Sequence, residues 1–170
     1  QVDILIINPI LETDMPKLWQ QMETGYDGRV KNSPKLYRFT YDLSDSPQMS
    51  KLAGGALAIF LQKNIKQLIE IYKPDAILST NQMYNTPVGA ILKDEEIKIP
   101  FFTVVTDLAD VHAMWFNSGP DKYYVASEWV LRKGLESKVP PEKIGITGIP
   151  VDPDFSLIHE KREQLCEELG

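Results

Sequence analysis

The chain has 170 residues, of which 43% are hydrophobic, and a formal net charge of −6. This length suits one domain with a single core and is too short for two full-size α/β domains. The acidic balance argues against a general nucleic-acid-binding surface, and the single cysteine, Cys166, excludes an internal disulfide bond.

The first half of the chain contains one long predicted helix among shorter elements. Residues 2–8 form a β-rich run, which predicts a buried strand close to the first residue and suggests that an upstream segment was removed. A short helix over residues 13–25 and a short strand over residues 36–41 are predicted next. Ser46-Pro47 then begins a helix that ends near Tyr72, because a proline follows two residues later. Helical spacing predicts one buried stripe on this helix: Leu57, Leu61, Ile65, Leu68 and Tyr72.

The longest apolar run of the chain, Leu52 to Leu61, belongs to that helix. A helix needs about 20 apolar residues to cross a bilayer, and this run is about half as long. The first residues do not form a basic region followed by a cleavage site. We therefore expect a protein that is soluble or at most peripheral to a membrane.

Strands and helices alternate in the second half of the chain. Apolar and β-branched runs, turn signals and a serine cap at Ser127 define these elements. The alternation predicts βαβ units and a Rossmann-like, mostly parallel sheet with helices on both faces. The predicted strands span residues 75–80, 99–106, 123–126 and 144–148, and the predicted helices span residues 86–93, 127–138 and 157–169.

Two carboxylates, a histidine and a tryptophan follow the predicted strand that ends at Thr106. They are Asp107, Asp110, His112 and Trp115. Ligands of open α/β sheets bind outside the carboxyl ends of the strands. This segment is therefore the first candidate site.

Each residue of this segment has a chemical and a structural interpretation. Asp107 and His112 have side chains that act as general bases when they lie within about 3 Å of the proton to be removed. Asp107 can instead cap a helix or join an ion pair, and His112 can be a hydrogen-bonded core residue. Trp115 can offer an aromatic wall to a sugar or glycerol, or belong to the core. No cluster of residues has metal-ligand spacing, so no metal site is predicted.

Three ordered motifs then carry a family resemblance. Thr106-Asp107 with Val111-His112 and Trp115, the run of residues 121–128, and the run of residues 147–155 closely resemble the N-terminal domain of the diacylglycerol glycosyltransferases. These include monogalactosyldiacylglycerol synthases and processive bacterial diacylglycerol glucosyltransferases, and they are similar to the peptidoglycan GlcNAc transferase. The resemblance covers nearly the whole chain.

The resemblance implies a GT-B architecture, in which two Rossmann-like domains face each other across a cleft. It implies that the N-terminal domain meets diacylglycerol at the membrane surface, while the C-terminal domain holds a UDP-sugar. The implied reaction is an inverting, metal-independent transfer of galactose or glucose, with no cofactor besides the sugar donor. The implied location is peripheral, at the cytoplasmic face of a membrane. The predicted site residues are His112, the first candidate, and Asp107 for catalysis, and Trp115, Thr80 and Asn81 for acceptor binding.

The chain also departs from the family pattern. The family begins with a strand and a glycine-rich loop that ends in a histidine, a leading candidate for the base, whereas this chain enters at the second strand. The family commonly has Thr-His-Pro where this chain has Thr80-Asn81-Gln82. Residues 1–155 would be the acceptor-side domain and residues 156–170 the start of a connecting helix. With no sugar-nucleotide domain following, such a fragment is expected to be inactive alone.

Two regions are candidates for lipid contact, namely Leu52–Leu61 and the helical stripe from Met15 to Met22, for which Trp19 and Phe60 are the test positions. Two other functions stay open at this point. One is a non-catalytic ligand-binding or receiver-like α/β module in which Asp107 and Asp110 receive a partner or an ion. The other is one half of a GT-B sugar-nucleotide epimerase.

Overall fold

Four short strands run parallel in one sheet, in the order β1-β2-β3-β4. The structure is a computed structural model, and it describes residues 2–11, 47–109, 111–117, 119–156 and 166–167. The predicted α/β class with a parallel, Rossmann-like sheet is confirmed. The strands are β1 (Ile77–Ser79), β2 (Phe101–Val104), β3 (Lys122–Val125) and β4 (Ile144–Ile146), and the helices are α1 (Pro47–Tyr72), α2 (Asn85–Asp94) and α3 (Glu128–Glu136).

Local sequence signals account for the helices that connect the strands. Parallel neighbours need a crossover, and α2 joins β1 to β2 while α3 joins β3 to β4. α3 begins where predicted, because the Ser127 hydroxyl accepts a hydrogen bond from the backbone N–H of Val130 at 3.4 Å. α2 begins at Asn85, one residue earlier than predicted.

The long helix α1 has the predicted bounds, but its buried face differs slightly from the predicted stripe. Leu61, Ile65 and Ile69 are buried at a spacing of four residues and pack with Val88 of α2 and with β2. The prediction for Tyr72 is wrong, since its side chain is 46% exposed. Tyr72 lies in the last turn, where it lines a cavity next to β1 instead of packing in the core. The side chain of the predicted Leu57 lies outside the described residues.

The predicted strand over residues 2–8 is absent, which corrects the sequence prediction. These residues are in no ladder, and Val2, Ile4 and Ile6 are more than 80% exposed. A strand needs a hydrogen-bonding neighbour, and a cavity of about 250 Å³ lies between this segment and β1. Its walls are formed on one side by Leu5, Ile7 and Pro9 and on the other by Ile77, Leu78 and Ser79.

The end of the N-terminal segment is nevertheless fixed to the domain. The Tyr84 hydroxyl donates to Oδ1 of Asn8 at 2.9 Å, and Ile10 is 1% exposed in the core cluster of α1 and α2. The helix and strand predicted between residues 13 and 41 lie outside the described residues, as does most of the predicted connecting helix. Pro153–Ser156, which come before that helix, form a 3₁₀ turn, and Cys166 within its predicted range is exposed. No helix in the described ranges is long and apolar enough to span a bilayer.

Two glycines let α2 approach the loop before β3. A Cβ atom on Gly89 would overlap the Cα atom of Gly119, so the two backbones are in direct contact. An alanine normally stabilises an exposed helix position by about 1 kcal/mol relative to glycine. Here the neighbouring atoms belong to the backbone and cannot change rotamer. The added methyl group is therefore expected to destabilise the fold.

We expect Gly89→Ala to lower the free energy of unfolding by about 1–3 kcal/mol, as overpacked core positions do. Urea denaturation followed by circular dichroism measures this. Gly145→Ala is the matched control, because the nearest atom to its added Cβ would be Cδ1 of Tyr124 at an ordinary 3.8 Å. Its effect should stay within about 0.5 kcal/mol. Equal effects of the two substitutions would contradict the packing argument.

Candidate functional site

The loops at the carboxyl edge of the sheet contain the predicted site residues. Thr80 and Asn81 follow β1, and the segment with Asp107, His112 and Trp115 follows β2. The 3₁₀ turns in these two loops, Gln82–Tyr84 and Ala113–Phe116, lie against each other. The loop after β3 joins them, because the Ser127 hydroxyl donates to the carbonyl of Leu108 at 3.4 Å. The sheet therefore gathers the loops of three strands at one edge, as expected for this fold class.

Asp107 and Trp115 are joined by a short hydrogen bond at this edge. The indole Nε1–H of Trp115 donates to Oδ2 of Asp107 at 2.6 Å. A hydrogen bond to a charged acceptor is shorter and stronger than one between neutral groups. Asp107 is half-buried, and among the described residues its other oxygen, Oδ1, has no hydrogen-bond partner. The carboxylate is thus held by one oxygen and can offer the second to a hydroxyl group.

Trp115 itself is 2% exposed. Its ring packs in the core cluster with Val105, Val111 and Phe116. All three of its polar groups are engaged, because the backbone N–H also donates to the carbonyl of His112 at 3.1 Å and the backbone carbonyl accepts from Nδ2 of Asn85 at 2.8 Å. Of the two roles open to this tryptophan from the sequence, the core role matches this geometry, and the acceptor wall would need the ring to become exposed.

His112 is buried at 2% exposure and begins the 3₁₀ turn. Its Nδ1 accepts a hydrogen bond from the backbone N–H of Met114 at 3.1 Å. An N–H group can only donate, so Nδ1 is the unprotonated nitrogen and Nε2 holds the proton. In this state the ring caps the turn with its one lone pair, and the Nε2–H group is a hydrogen-bond donor.

The two residues after β1 differ in accessibility. Thr80 is exposed, whereas Asn81 is half-buried and its Oδ1 accepts from the backbone N–H of Met83 at 3.0 Å. The Ser79 hydroxyl also donates to the carbonyl of Asn81 at 2.8 Å. Asn81 therefore fixes the turn, and Thr80 is the member of the pair that an acceptor can reach.

Two further residues that the sequence reasoning missed support this edge. Asn85 is fully buried at the start of α2. The Tyr123 hydroxyl donates to the carbonyl of Asn117 at 2.8 Å, and burial raises the pKa of Tyr123, so this donor keeps its proton. An asparagine at a predicted helix start was the available signal for the first residue, and no local signal marked the second.

The described residues contain no group of three or more His, Cys, Asp or Glu side chains that could hold a metal ion. Asp110, which one alternative function invoked, lies outside the described residues. The polar chemistry of the described part of the site consists of one partly accessible carboxylate, a capped imidazole and side-chain hydroxyl and amide groups.

Residues 5–151 match the family model for monogalactosyldiacylglycerol (MGDG) synthase. The chain belongs to the MGDG synthase family. It is 28% identical over 157 residues to a probable chloroplastic MGDG synthase of Nicotiana tabacum. This alignment covers 91% of this chain and 29% of that relative. It is 32% identical over 139 residues to a processive diacylglycerol β-glucosyltransferase of Bacillus mycoides, with 79% of this chain and 35% of that relative covered.

A chloroplastic MGDG synthase of Spinacia oleracea is similar at 28% identity over 158 residues, covering 91% of this chain and 30% of that relative. The chain thus spans about a third of the length of the curated relatives that it matches. The match to the MGDG synthase model includes β1 to β4 and the loops at their carboxyl ends. The family resemblance inferred from the three motifs is confirmed.

Proposed function

We propose that this chain is the acceptor-side half of an inverting UDP-sugar:diacylglycerol hexosyltransferase, which moves galactose or glucose onto diacylglycerol. Membership of the MGDG synthase family over residues 5–151 carries the proposal. In it, residues 1–155 form the acceptor-side domain and residues 156–170 begin the connection to a sugar-nucleotide domain. Sugar transfer then requires a two-domain enzyme, with the UDP-sugar bound in that second domain.

We assign the base to Asp107. The acceptor hydroxyl attacks the anomeric carbon of the sugar, its proton goes to the base, and UDP leaves with the bonding electrons. A general base must lie within hydrogen-bond reach of that proton and must have a lone pair available. Asp107 is half-buried and has one carboxylate oxygen without a hydrogen-bond partner among the described residues, while Trp115 holds the other oxygen at 2.6 Å. Thr80 lies on the neighbouring loop and is exposed, which suits contact with the acceptor.

The hydrogen bond to Met114 gives His112 a structural role in this proposal. An asparagine Oδ1 can accept from the same backbone N–H, as side-chain oxygens do at helix starts, but it cannot take up a proton. We expect His112→Asn to keep turnover within about tenfold of the unsubstituted two-domain enzyme, a smaller loss than a missing general base causes. His112→Ala should lower the free energy of unfolding by at least about 1 kcal/mol, because it removes the cap and leaves a cavity at a buried position.

Glycolipid formation and urea denaturation of the two variants provide the measurements for His112. The difference between Asn and Ala measures the cap together with the packing of the side chain, because both substitutions remove the imidazole. A loss of about 100-fold or more in a stable His112→Asn enzyme, the scale of a missing general base, would show that the imidazole takes part in the chemistry.

We further propose that the first half of α1 lies on the membrane that holds the acceptor. Met49, Leu52 and Ile59 are 41%, 67% and 76% exposed, and their helical spacing places them within one arc of the helix. Exposed apolar side chains on one helix face are suited to the boundary between lipid headgroups and acyl chains. Attachment from the cytoplasmic side, peripheral to the bilayer, completes this proposal. Of the earlier test positions, Trp19 and the side chain of Phe60 lie outside the described residues.

We expect the double substitution Leu52→Ser and Ile59→Ser to reduce vesicle binding at least about tenfold, because each lost apolar contact is worth roughly 1.5 kcal/mol or more. Co-sedimentation with phosphatidylcholine vesicles containing diacylglycerol measures the bound fraction. Ile146→Ser is the matched control, since Ile146 is also exposed, at 43%, but lies on β4. Unchanged binding of the double variant would remove α1 from the membrane surface.

One assay tests the proposed activity and separates it from the two other functions. The two-domain enzyme is incubated with diacylglycerol vesicles and either UDP-galactose or UDP-glucose, and lipid products are separated by chromatography. A glycolipid formed from either donor is the expected result. A changed sugar nucleotide without a glycolipid would indicate epimerisation, and no change in either substrate would favour a binding module.

A further inference from the structure

Asn85 is the first residue of α2, and none of its side chain is exposed. Its Nδ2 donates to the carbonyl of Trp115 at 2.8 Å. Its Oδ1 is also buried, and it has no hydrogen-bond partner among the described residues. A buried polar atom without a partner destabilises a fold, so each such atom calls for a physical explanation.

The hydrogen bond that the NH₂ group of Asn85 donates supplies that explanation. A leucine has a similar size and would remove the unpartnered oxygen of Asn85. It would also leave the buried carbonyl of Trp115 without the donor that now satisfies it. The amide at this position therefore serves to hold the backbone of Trp115.

Close packing keeps Asn85 from shifting. A Cβ atom on Gly119 would overlap the carbonyl oxygen of Asn85, and Gly89 contacts the same loop one helical turn further along α2. The start of α2 and the loop after the Ala113–Phe116 turn are thus in backbone contact at two points. The Nδ2 donor is fixed relative to the loop that it holds.

We infer that Asn85 is a positioning residue for sugar transfer, which acts on Asp107 through Trp115. The amide fixes the carbonyl of Trp115 at 2.8 Å, and the indole of the same residue fixes Oδ2 of Asp107 at 2.6 Å. Asn85 also connects the loop after β1 to the loop after β2, because it follows the Gln82–Tyr84 turn directly. The inference rests on the proposed function, in which Asp107 is the base.

The link between Asn85 and Trp115 can be measured without any activity. The chain has three tryptophans, Trp19, Trp115 and Trp129, so Trp19→Phe with Trp129→Phe leaves Trp115 as the only fluorescent indole. In that background, Asn85→Leu should shift the emission of Trp115 to longer wavelength and increase its quenching by acrylamide. Asn85→Ala is the second variant in case the leucine variant does not fold, which circular dichroism reports.

Thr86→Val is the matched control for both substitutions. Thr86 is the next residue of α2, and its hydroxyl is likewise buried without a hydrogen-bond partner among the described residues. Valine has nearly the same shape, so this change removes an unpartnered polar atom without touching Trp115. Its fluorescence should match that of the parent.

The catalytic consequence is tested by the kinetics of glycolipid formation in the two-domain enzyme. A misplacement of about 1 Å at a reacting group can cost roughly 100-fold in rate. Asn85→Leu or Asn85→Ala should therefore lower kcat by about 10- to 100-fold and change KM for diacylglycerol by less than about threefold. Thr86→Val should leave both parameters unchanged.

The two measurements separate failure of the inference from failure of the proposed function. An unshifted Trp115 spectrum in a folded Asn85 variant overturns the link between these residues. A shifted spectrum with an unchanged kcat overturns the positioning role. No glycolipid from the unsubstituted two-domain enzyme overturns the proposed function, and with it the catalytic part of the inference.

Discussion

An Asp107→Asn variant of the two-domain enzyme should fold normally and lose about 10²- to 10⁴-fold in turnover, the usual contribution of a general base. The amide oxygen of asparagine can still accept the indole N–H of Trp115, which Asp107 now binds at 2.6 Å. The substitution therefore removes the basic carboxylate and keeps the local hydrogen bond. Steady-state kinetics with diacylglycerol vesicles, together with a urea denaturation curve, measures both consequences.

Asp121 provides the matched control for this prediction. Its Oδ2 accepts from the backbone N–H of Phe101 at 2.9 Å, at the end of the sheet where β2 and β3 begin. Asp121→Asn makes the same change in charge and also keeps a hydrogen-bond acceptor, but it lies away from the carboxyl edge. Its turnover should be nearly unchanged. An active Asp107→Asn enzyme would show that Asp107 is not the base.

A Trp115→Ala variant should have the largest effect on stability. Truncation of a buried tryptophan typically lowers the free energy of unfolding by about 3–5 kcal/mol. Trp115 is 2% exposed, belongs to a core cluster that includes residues of α3 and the sheet, and makes hydrogen bonds with Asn85 and Asp107. The loss should therefore come from both the cavity and the unpaired polar groups. Chemical denaturation of this chain is the appropriate measurement.

Trp129→Ala is the comparison for the tryptophan prediction, because the Trp129 side chain is 55% exposed on α3. Surface substitutions usually change stability by less than about 0.5 kcal/mol. Trp115→Phe separates the two contributions further, since it keeps most of the ring volume and removes the indole N–H donor. Similar losses for the two alanine variants would mean that Trp115 contributes no more to stability than an exposed side chain.

The sequence predicted best those elements whose signals are local. The start of α3 depends on one serine side chain and a backbone group three residues away, and the structure contains that bond. The prediction of a strand at residues 2–8 was wrong because strand formation depends on a non-local partner. Its residues favour extended backbone, but a strand forms only beside a hydrogen-bonded neighbour. Which segments become neighbours is decided by packing between distant parts of the chain.

The same distinction applies to the candidate site. Residue types and their position after a strand were sufficient to select Asp107, His112 and Trp115, and the fold places their segment at the carboxyl edge. Their roles depend on hydrogen bonds that spacing does not encode. The capping bond of His112 fixes its tautomer, and the position of Trp115 depends on Asn85, 30 residues earlier in the chain.

The cavity between the N-terminal segment and β1 also bears on how this protein behaves at high concentration. Within the described residues β1 has a hydrogen-bonded neighbour on one side only, and its central Leu78 is 59% exposed. An uncovered strand edge acts as a template on which a second chain can add its own strand. Because apolar side chains line both walls, such pairing would bury apolar surface as well as backbone hydrogen-bonding groups. We therefore expect self-association at high concentration to use this edge, which ends directly before Thr80, a residue that lines the same cavity.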